Sequence, residues 1–303
     1  MCCRRSIRRW RPVDIGIWLL DLGFGIYDRE MHNPFVPETL EGWSILHLMY
    51  RVRWDRVRGL PESERRRIAD DAVAALAVPD AGSTALVQVL GHKADLMVIC
   101  FRSGFEQLAD AQLALSRTPL HDFLDPTSSY VSVVELGMYE MTAKVHQQVS
   151  AAYKPGTEEF DRAFDVEMET QRQRVMSRLF LDMPSARYVC FYPMNKRRGE
   201  ALNWYSESFE RRASMMREHG MIGRHYAGKV TQVISGSIGF DDWEWGVDLF
   251  AQDPLVFKKL IYEMRFDEAS AKFAEFGPFY TGIQFAPSQL AAYLNGEVPS
   301  LGV

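Results

Sequence analysis

Runs of β-branched and aromatic residues with period two alternate along this chain with runs of helical period, and their order repeats. Ile45–Arg53 reads as a strand, and Pro61–Leu76 as a helix opened by proline and acidic residues. Strands follow near Thr84–Leu90 and Asp95–Phe101, joined at Gly91-His92-Lys93, then a helix over Gly104–Leu115 and a strand over Tyr130–Leu136. The order is βαββαβ. After a charged helical connector between about Thr157 and Phe180 the order returns. It comes as strand Tyr188–Pro193, helix Ser206–His219, strands Tyr226–Ser235 and Trp243–Phe250, helix Pro254–Met264 and strand Pro278–Phe285. Gly91–Phe101 answers Gly239–Phe250 as turn, strand and helix start. A sheet with one bare face must bury it, so two such units pack face to face. The predicted fold class is therefore α+β, with two tandem ferredoxin-like βαββαβ units over residues 31–150 and 186–303 and a helical connector over 151–185.

Bulk composition narrows the partners without naming a reaction. The 303 residues are 47% hydrophobic and 25% charged, enough to bury a substantial core. With 35 basic and 40 acidic residues the net charge is -5, so no broad basic field invites nucleic acid or an anionic membrane surface. Cys2 and Cys3 are adjacent, while Cys100 and Cys190 are isolated, forming neither a metal knuckle nor a disulfide framework. That usage suits a reducing, cytoplasmic setting. Five arginines between Arg4 and Arg11 followed by Ile15–Leu20 imitate a signal peptide, but Asp14 and Asp21 flank the apolar run and no small-residue cleavage site follows. Residues 1–30 are expected to be an N-terminal extension, disordered or a misassigned start ahead of Met31.

The candidate chemistry lies in polar residues at apolar positions of the second unit. The helix from Ser206 is expected to end at Gly220 as a left-handed cap, with His219 in its last turn on the face of Met215 and Met216. An isolated inward histidine is more often a hydrogen-bonded core residue than a ligand; the sharper alternative is a proximal heme ligand, its second ring nitrogen fixed by a carboxylate or carbonyl. Alternation puts Tyr226, Gly228, Val230, Gln232 and Ile234 on one strand face, which buries the Gln232 amide among apolar neighbours. Tyr188, Cys190 and Tyr192 share another, and Pro193 is expected to end regular pairing and leave Tyr192 near a rim. Singly, Gln232 and Tyr192 also read as satisfied core residues.

Taken together these residues resemble the coproheme decarboxylases of the chlorite dismutase superfamily, most densely from about Arg178 to Gly282. The words that carry the resemblance are Tyr192-Pro193-Met194-Asn195-Lys196-Arg197-Arg198, Glu218-His219-Gly220, Gly239-Phe240-Asp241-Asp242-Trp243-Glu244-Trp245-Gly246 and Tyr262-Glu263-Met264-Arg265-Phe266-Asp267-Glu268. The resemblance implies that the two units form a dimeric α+β barrel whose C-terminal unit binds heme. It implies iron coproporphyrin III (coproheme) as both cofactor and substrate, hydrogen peroxide as oxidant and heme b as product, two propionates becoming vinyls through a tyrosyl radical. By the same resemblance His219 is the iron ligand and Tyr192 the catalytic tyrosine. Lys196 holds the second propionate or donates a proton, and Gln232 lies over the open iron face. Arg178, Arg265, Ser270 and the loop of Tyr192, Pro193, Met194, Asn195 and Lys196 grip the propionates. It also implies a homopentamer and a transient contact with the ferrochelatase that supplies coproheme. Gln232, where a chlorite dismutase carries a distal arginine, argues against that activity; a non-catalytic heme carrier or sensor would need His219 but no tyrosine–lysine pair.

Overall fold

The apolar run Ile45–Tyr50 is interrupted only by His47, the mark of a strand covered on both faces. It lies within β1 (Thr39–Val52), where Leu46, Leu48 and Tyr50 face one core and Ile45 and Met49 face another. The computed structural model describes residues 37–77 and 81–301; the extension expected over 1–30 lies outside them.

After β1 come a short helix α1 (Trp54–Val57), α2 (Glu62–Ala75), β2 (Gly82–Val89), β3 (Leu96–Arg102), α3 (Phe105–Ser116) and β4 (Leu124–Gly137). Two helices, α4 (Tyr139–Ser150) and α5 (Glu158–Leu179), lead into β5 (Tyr188–Lys196) and α6 (Phe209–His225). The chain continues through β6 (Thr231–Gly236), β7 (Trp245–Ala251), α7 (Leu255–Met264), α8 (Glu268–Phe273), β8 (Ala274–Phe276), β9 (Tyr280–Phe285) and α9 (Leu290–Leu294). The βαββαβ order is present twice, with α1, α4, α8, β8 and α9 as elements that periodicity did not predict. α4 is pinned by Met141, Val145 and Val149 against Phe160, Phe164 and Met168 of α5.

All strand pairings are antiparallel, in the order β7-β6-β4-β1-β3-β2-β9-β5-β8, with β7 also paired to β5. That extra pairing joins the sheet back on itself, which leaves no open edge among the eight joined strands. Each half runs fourth, first, third, second strand, and the halves meet where β4 pairs β6 and β2 pairs β9. Ile45, Met97, Ile99, Phe101, Phe191 and Phe250 fill the interior. A buried polar pair sits among them: His47 Nε2 lies 2.9 Å from Asp248 Oδ1, both side chains 0% exposed, and the imidazole stacks on Phe191 at 4.0 Å. On the outside, α2 and α3 cover the first half. The second half carries α6, α7 and α8, and among the described residues no helix is long and apolar enough to cross a membrane.

Candidate active site

Alternation in β5 divides its side chains cleanly. Val189 and Phe191 enter the interior, while Tyr188, Cys190, Tyr192 and Met194 face out toward α7. Strand register then builds rows on that outer face. Gln232, Leu249, Cys190 and Thr281 are successive partners; Ile234, Val247 and Tyr192 form the next row, and Gly236, Trp245, Met194 and Phe276 the one after. Leu249, Val247 and Tyr192 are buried, yet Ile234 in the same face is 37% exposed. The helix above explains the difference, because α6 takes its main contacts from α8, α7 and α4 rather than from the strands. The β6 side of this face is thus left partly open beside α6, a slot bordered by Gln232 and Ile234.

The helix α6 starts where Ser208, not Ser206, caps it by accepting from Arg211 N at 3.3 Å. It does not stop at Gly220 but runs on to His225, and the left-handed glycine beyond it is Gly228 at φ +77°. Two helical glycines cost about 1 kcal/mol each; Ile222 and Tyr226, packed into the core around Leu249, Phe257 and Leu260, hold the extra turn in place. In consequence Tyr226, Gly228 and Val230 are helix cap and turn, and only Gln232 and Ile234 of the expected face lie in β6.

His219 still faces inward, onto α8. Its Nδ1 lies 2.9 Å from Asp267 Oδ2 and 3.3 Å from Ser270 Oγ, which leaves Nε2 without a partner among the described residues. Asp267 is 1% exposed and also caps α8, accepting from Ser270 N at 2.8 Å and Ser270 Oγ at 3.2 Å. Burial alone would raise its carboxyl, but the bond and charge of His219 and the two Ser270 donors hold it below the usual range. The support is a carboxylate–histidine pair of the kind that fixes a metal-binding imidazole in one tautomer.

Tyr192 is not at a rim. It is 4% exposed, because Pro193 does not end β5: Pro193 pairs with Gly246 and Met194 with Trp245. Proline is tolerated there because β9 pairing stops at Phe191 and β8 pairing begins at Met194, so no ladder bond needs its missing N–H. The phenol stacks on Phe279 at 4.6 Å and meets Phe276 at 5.8 Å, and its hydroxyl makes no hydrogen bond among the described residues. Burial drives its pKa well up, Cys190 adding to this and Arg265 opposing it. Arg265, exposed at the end of α7, lies over Phe276 at 5.1 Å.

Lys196, on the same face, is buried: Nζ donates to Ala269 O at 3.1 Å and sits 4.4 Å from the centre of the Trp204 ring. Burial lowers its pKa to about 8, against the raising charges of Asp267 and Glu244. Asn195 points elsewhere, accepting from Glu244 N at 2.7 Å, while Glu244 accepts from Lys196 N at 2.8 Å. Arg178 is exposed in the last turn of α5, and among the described residues no hydrogen bond or ion pair joins it to the other predicted residues. The structure thus brings Tyr192, Met194, Gln232 and Arg265 to one face and His219, Ser270 and Lys196 to its α8 side; it does not gather Arg178, and it turns Asn195 into the loop lock. Sequence reasoning missed Asp267, Glu244 and Trp204 as partners, although Asp267 followed three residues later by Ser270 is a legible capping pattern.

Comparison with known proteins places the chain in a family. The chlorite dismutase family profile matches residues 65–285. The coproheme decarboxylase of Staphylococcus carnosus is 43% identical over 251 residues, covering 81% of this chain and 92% of that protein. A putative heme-binding protein of Natronomonas pharaonis is 44% identical over 267 residues, 86% of this chain but 42% of its own length; the chain thus spans less than half of that relative. A solved heme-binding protein from Thermus thermophilus superposes with a TM-score of 0.73 at 40% identity, covering 87% of this chain and 99% of that one. A chlorite dismutase from Candidatus Nitrospira defluvii, 15% identical with a TM-score of 0.63, shares the fold. A profile match over most of the chain and relatives above 40% identity lead to one conclusion: the chain belongs to the chlorite dismutase family.

Proposed function

We propose that the chain is a coproheme decarboxylase, an enzyme that uses hydrogen peroxide to convert two propionates of iron coproporphyrin III into the vinyls of heme b. The observations that carry this reading are a histidine, His219, braced through Nδ1 by the buried Asp267, and a buried tyrosine, Tyr192, stacked on Phe279. In this reading the imidazole braced by Asp267 looks across the slot at the sheet face that bears Gln232 and a buried tyrosine whose hydroxyl makes no hydrogen bond among the described residues. A flat macrocycle fits such a slot. In this reading His219 Nε2 ligates the iron and Gln232 offers a neutral amide on the opposite side.

Seating four propionates requires cations or donors at the edge, since an unpaired buried charge is costly. Arg265 beside the Tyr192 stack serves one, Lys196 another, with Ser270 and Arg178 assigned by family resemblance. Met194 lines the slot between Tyr192 and Lys196. Per round, one propionate, one peroxide and one proton become a vinyl, carbon dioxide and two waters. Tyr192 gives up an electron and its proton, takes a β-hydrogen from the adjacent propionate, and so returns to a phenol; the substrate supplies the redox chemistry and the protein the positions. Lys196, with its pKa lowered to about 8 by burial, holds the second propionate or donates a proton near neutral pH. A carrier would need His219 alone, so it leaves the Tyr192 face unexplained. The same reading carries a cytoplasmic homopentamer supplied by the ferrochelatase. The test is to mix the protein with iron coproporphyrin III and peroxide and read the product mass: two successive losses of carbon dioxide are expected, and an unchanged porphyrin overturns the reading.

A further inference from the structure

One carboxylate on the slot face comes from the other half of the chain. Val134 of β4 points into the core, so Glu135 points out. β4 pairs β6 at Val133 with Gly236 and Val134 with Ser235, and continuing this register sets Glu135 opposite Ile234, two residues from Gln232. Gly236 makes the room: a side chain there would run into the Glu135 carboxylate. Trp245 Nε1 donates to Glu135 Oε1 at 3.4 Å, which ties the carboxylate to the row of Met194 and Phe276. The outward side chains of β5, β6, β7 and β9 supply no other carboxylate among the described residues.

Each round of the proposed reaction consumes a proton, and the Gln232 amide has none to give. We propose that Glu135 relays that proton from solvent to the peroxide at the sheet side of the slot. The inference rests on the decarboxylase reading and adds a residue to it. Glu135 is half-buried with an exposed neighbour, Glu41, opposite it on β1, so it can recharge from water. The groups that face it are Glu41, Trp245 of β7 and Tyr139 of α4, with Arg212 of α6 stacked over Tyr139 at 5.9 Å and Arg172 of α5 donating to Glu41 O at 3.2 Å. Burial raises the Glu135 carboxyl above its usual range, the Trp245 bond opposes this, and the Glu41 charge adds to it. A carboxyl raised in this way keeps its proton to higher pH than an exposed glutamate does, which suits a proton donor.

The test uses Glu135→Gln, which keeps the shape, and Glu135→Asp, which keeps the acid. In the unloaded protein, infrared difference spectra against pH should show a protonated carboxyl titrating above the ordinary range that is missing from Glu135→Gln. In the protein loaded with iron coproporphyrin III, hydrogen cyanide must lose a proton to bind the iron, so its uptake reads proton transfer without turnover. Uptake in Glu135→Gln should slow by about 100-fold with loss of the pH dependence, and Glu135→Asp should recover part of it. Identical infrared spectra, or cyanide uptake within about twofold of wild type with the same pH profile, overturn the relay, which claims far more than that. If cyanide uptake depends on Glu135 but no vinyl forms in wild type, the decarboxylase reading fails and the relay stands.

Discussion

Replacing Asp267 by asparagine separates charge from shape beneath His219. The buried carboxylate accepts from His219 Nδ1 at 2.9 Å, Ser270 N at 2.8 Å and Ser270 Oγ at 3.2 Å. Asparagine is as good a helix cap as aspartate, so the bond from Ser270 N survives. What goes is the charge-assisted bond to the imidazole, about 1.5–3 kcal/mol. Asp267→Asn should therefore lower stability by about 2 kcal/mol, a fall in melting temperature of roughly 3 °C for a chain of this size. Asp267→Ala should cost about 1 kcal/mol more, through the lost cap. Affinity for iron coproporphyrin III, titrated by absorption, should fall about 10–100-fold in Asp267→Asn because the ligand loses its orienting partner. An Asp267→Asn protein that melts lower but binds the iron porphyrin as tightly as wild type, with the same spectrum, would refute the claim that Asp267 acts through His219.

Two further predictions concern buried charge. Lys196 has its pKa lowered to about 8 from an ordinary 10.5, so between those values the unfolded chain holds a proton the folded chain has released, and stability rises with pH across the window. Denaturant unfolding should show that rise, on the order of 3 kcal/mol, in wild type relative to Lys196→Met, in which the limb is absent; parallel profiles would show the amine to be solvated. His47→Leu should strand the Asp248 carboxylate, 0% exposed, and destabilise by about 3–5 kcal/mol, while the double variant His47→Leu/Asp248→Val should recover most of the loss. Equal damage in single and double variants would mean the pair matters only for its volume.

The repeat was legible because each unit's strands are apolar on at least one face and its helices carry stripes, and those patterns survive whatever the site demands. Inward placement of His219 was legible from Met215 and Met216. Its neighbours were not: Asp267 is 48 residues away in sequence, and no periodicity joins an N-cap of one helix to the flank of another. Gly220 misled because glycine marks helix ends on average, whereas here Ile222 and Tyr226 gain more by packing than the glycines cost. Pro193 misled for a related reason: whether a strand tolerates proline depends on which neighbours pair beside it, and that is settled by β8 and β9, about 80 residues on. The result moves Tyr192 from an exposed rim into an aromatic stack, which strengthens its candidacy for chemistry that water would quench.

Tyr192 is the residue whose hydroxyl the proposed decarboxylation cannot do without. Wild type and Tyr192→Phe, each loaded with iron coproporphyrin III and given peroxide, should be compared by product mass. Phenylalanine keeps the stack on Phe279 and gives up a hydroxyl that makes no hydrogen bond among the described residues, so the variant should fold and bind as wild type does. Two losses of carbon dioxide are expected in wild type and none in Tyr192→Phe; heme b formed by the variant at near wild-type yield would show that the reaction does not need the Tyr192 hydroxyl.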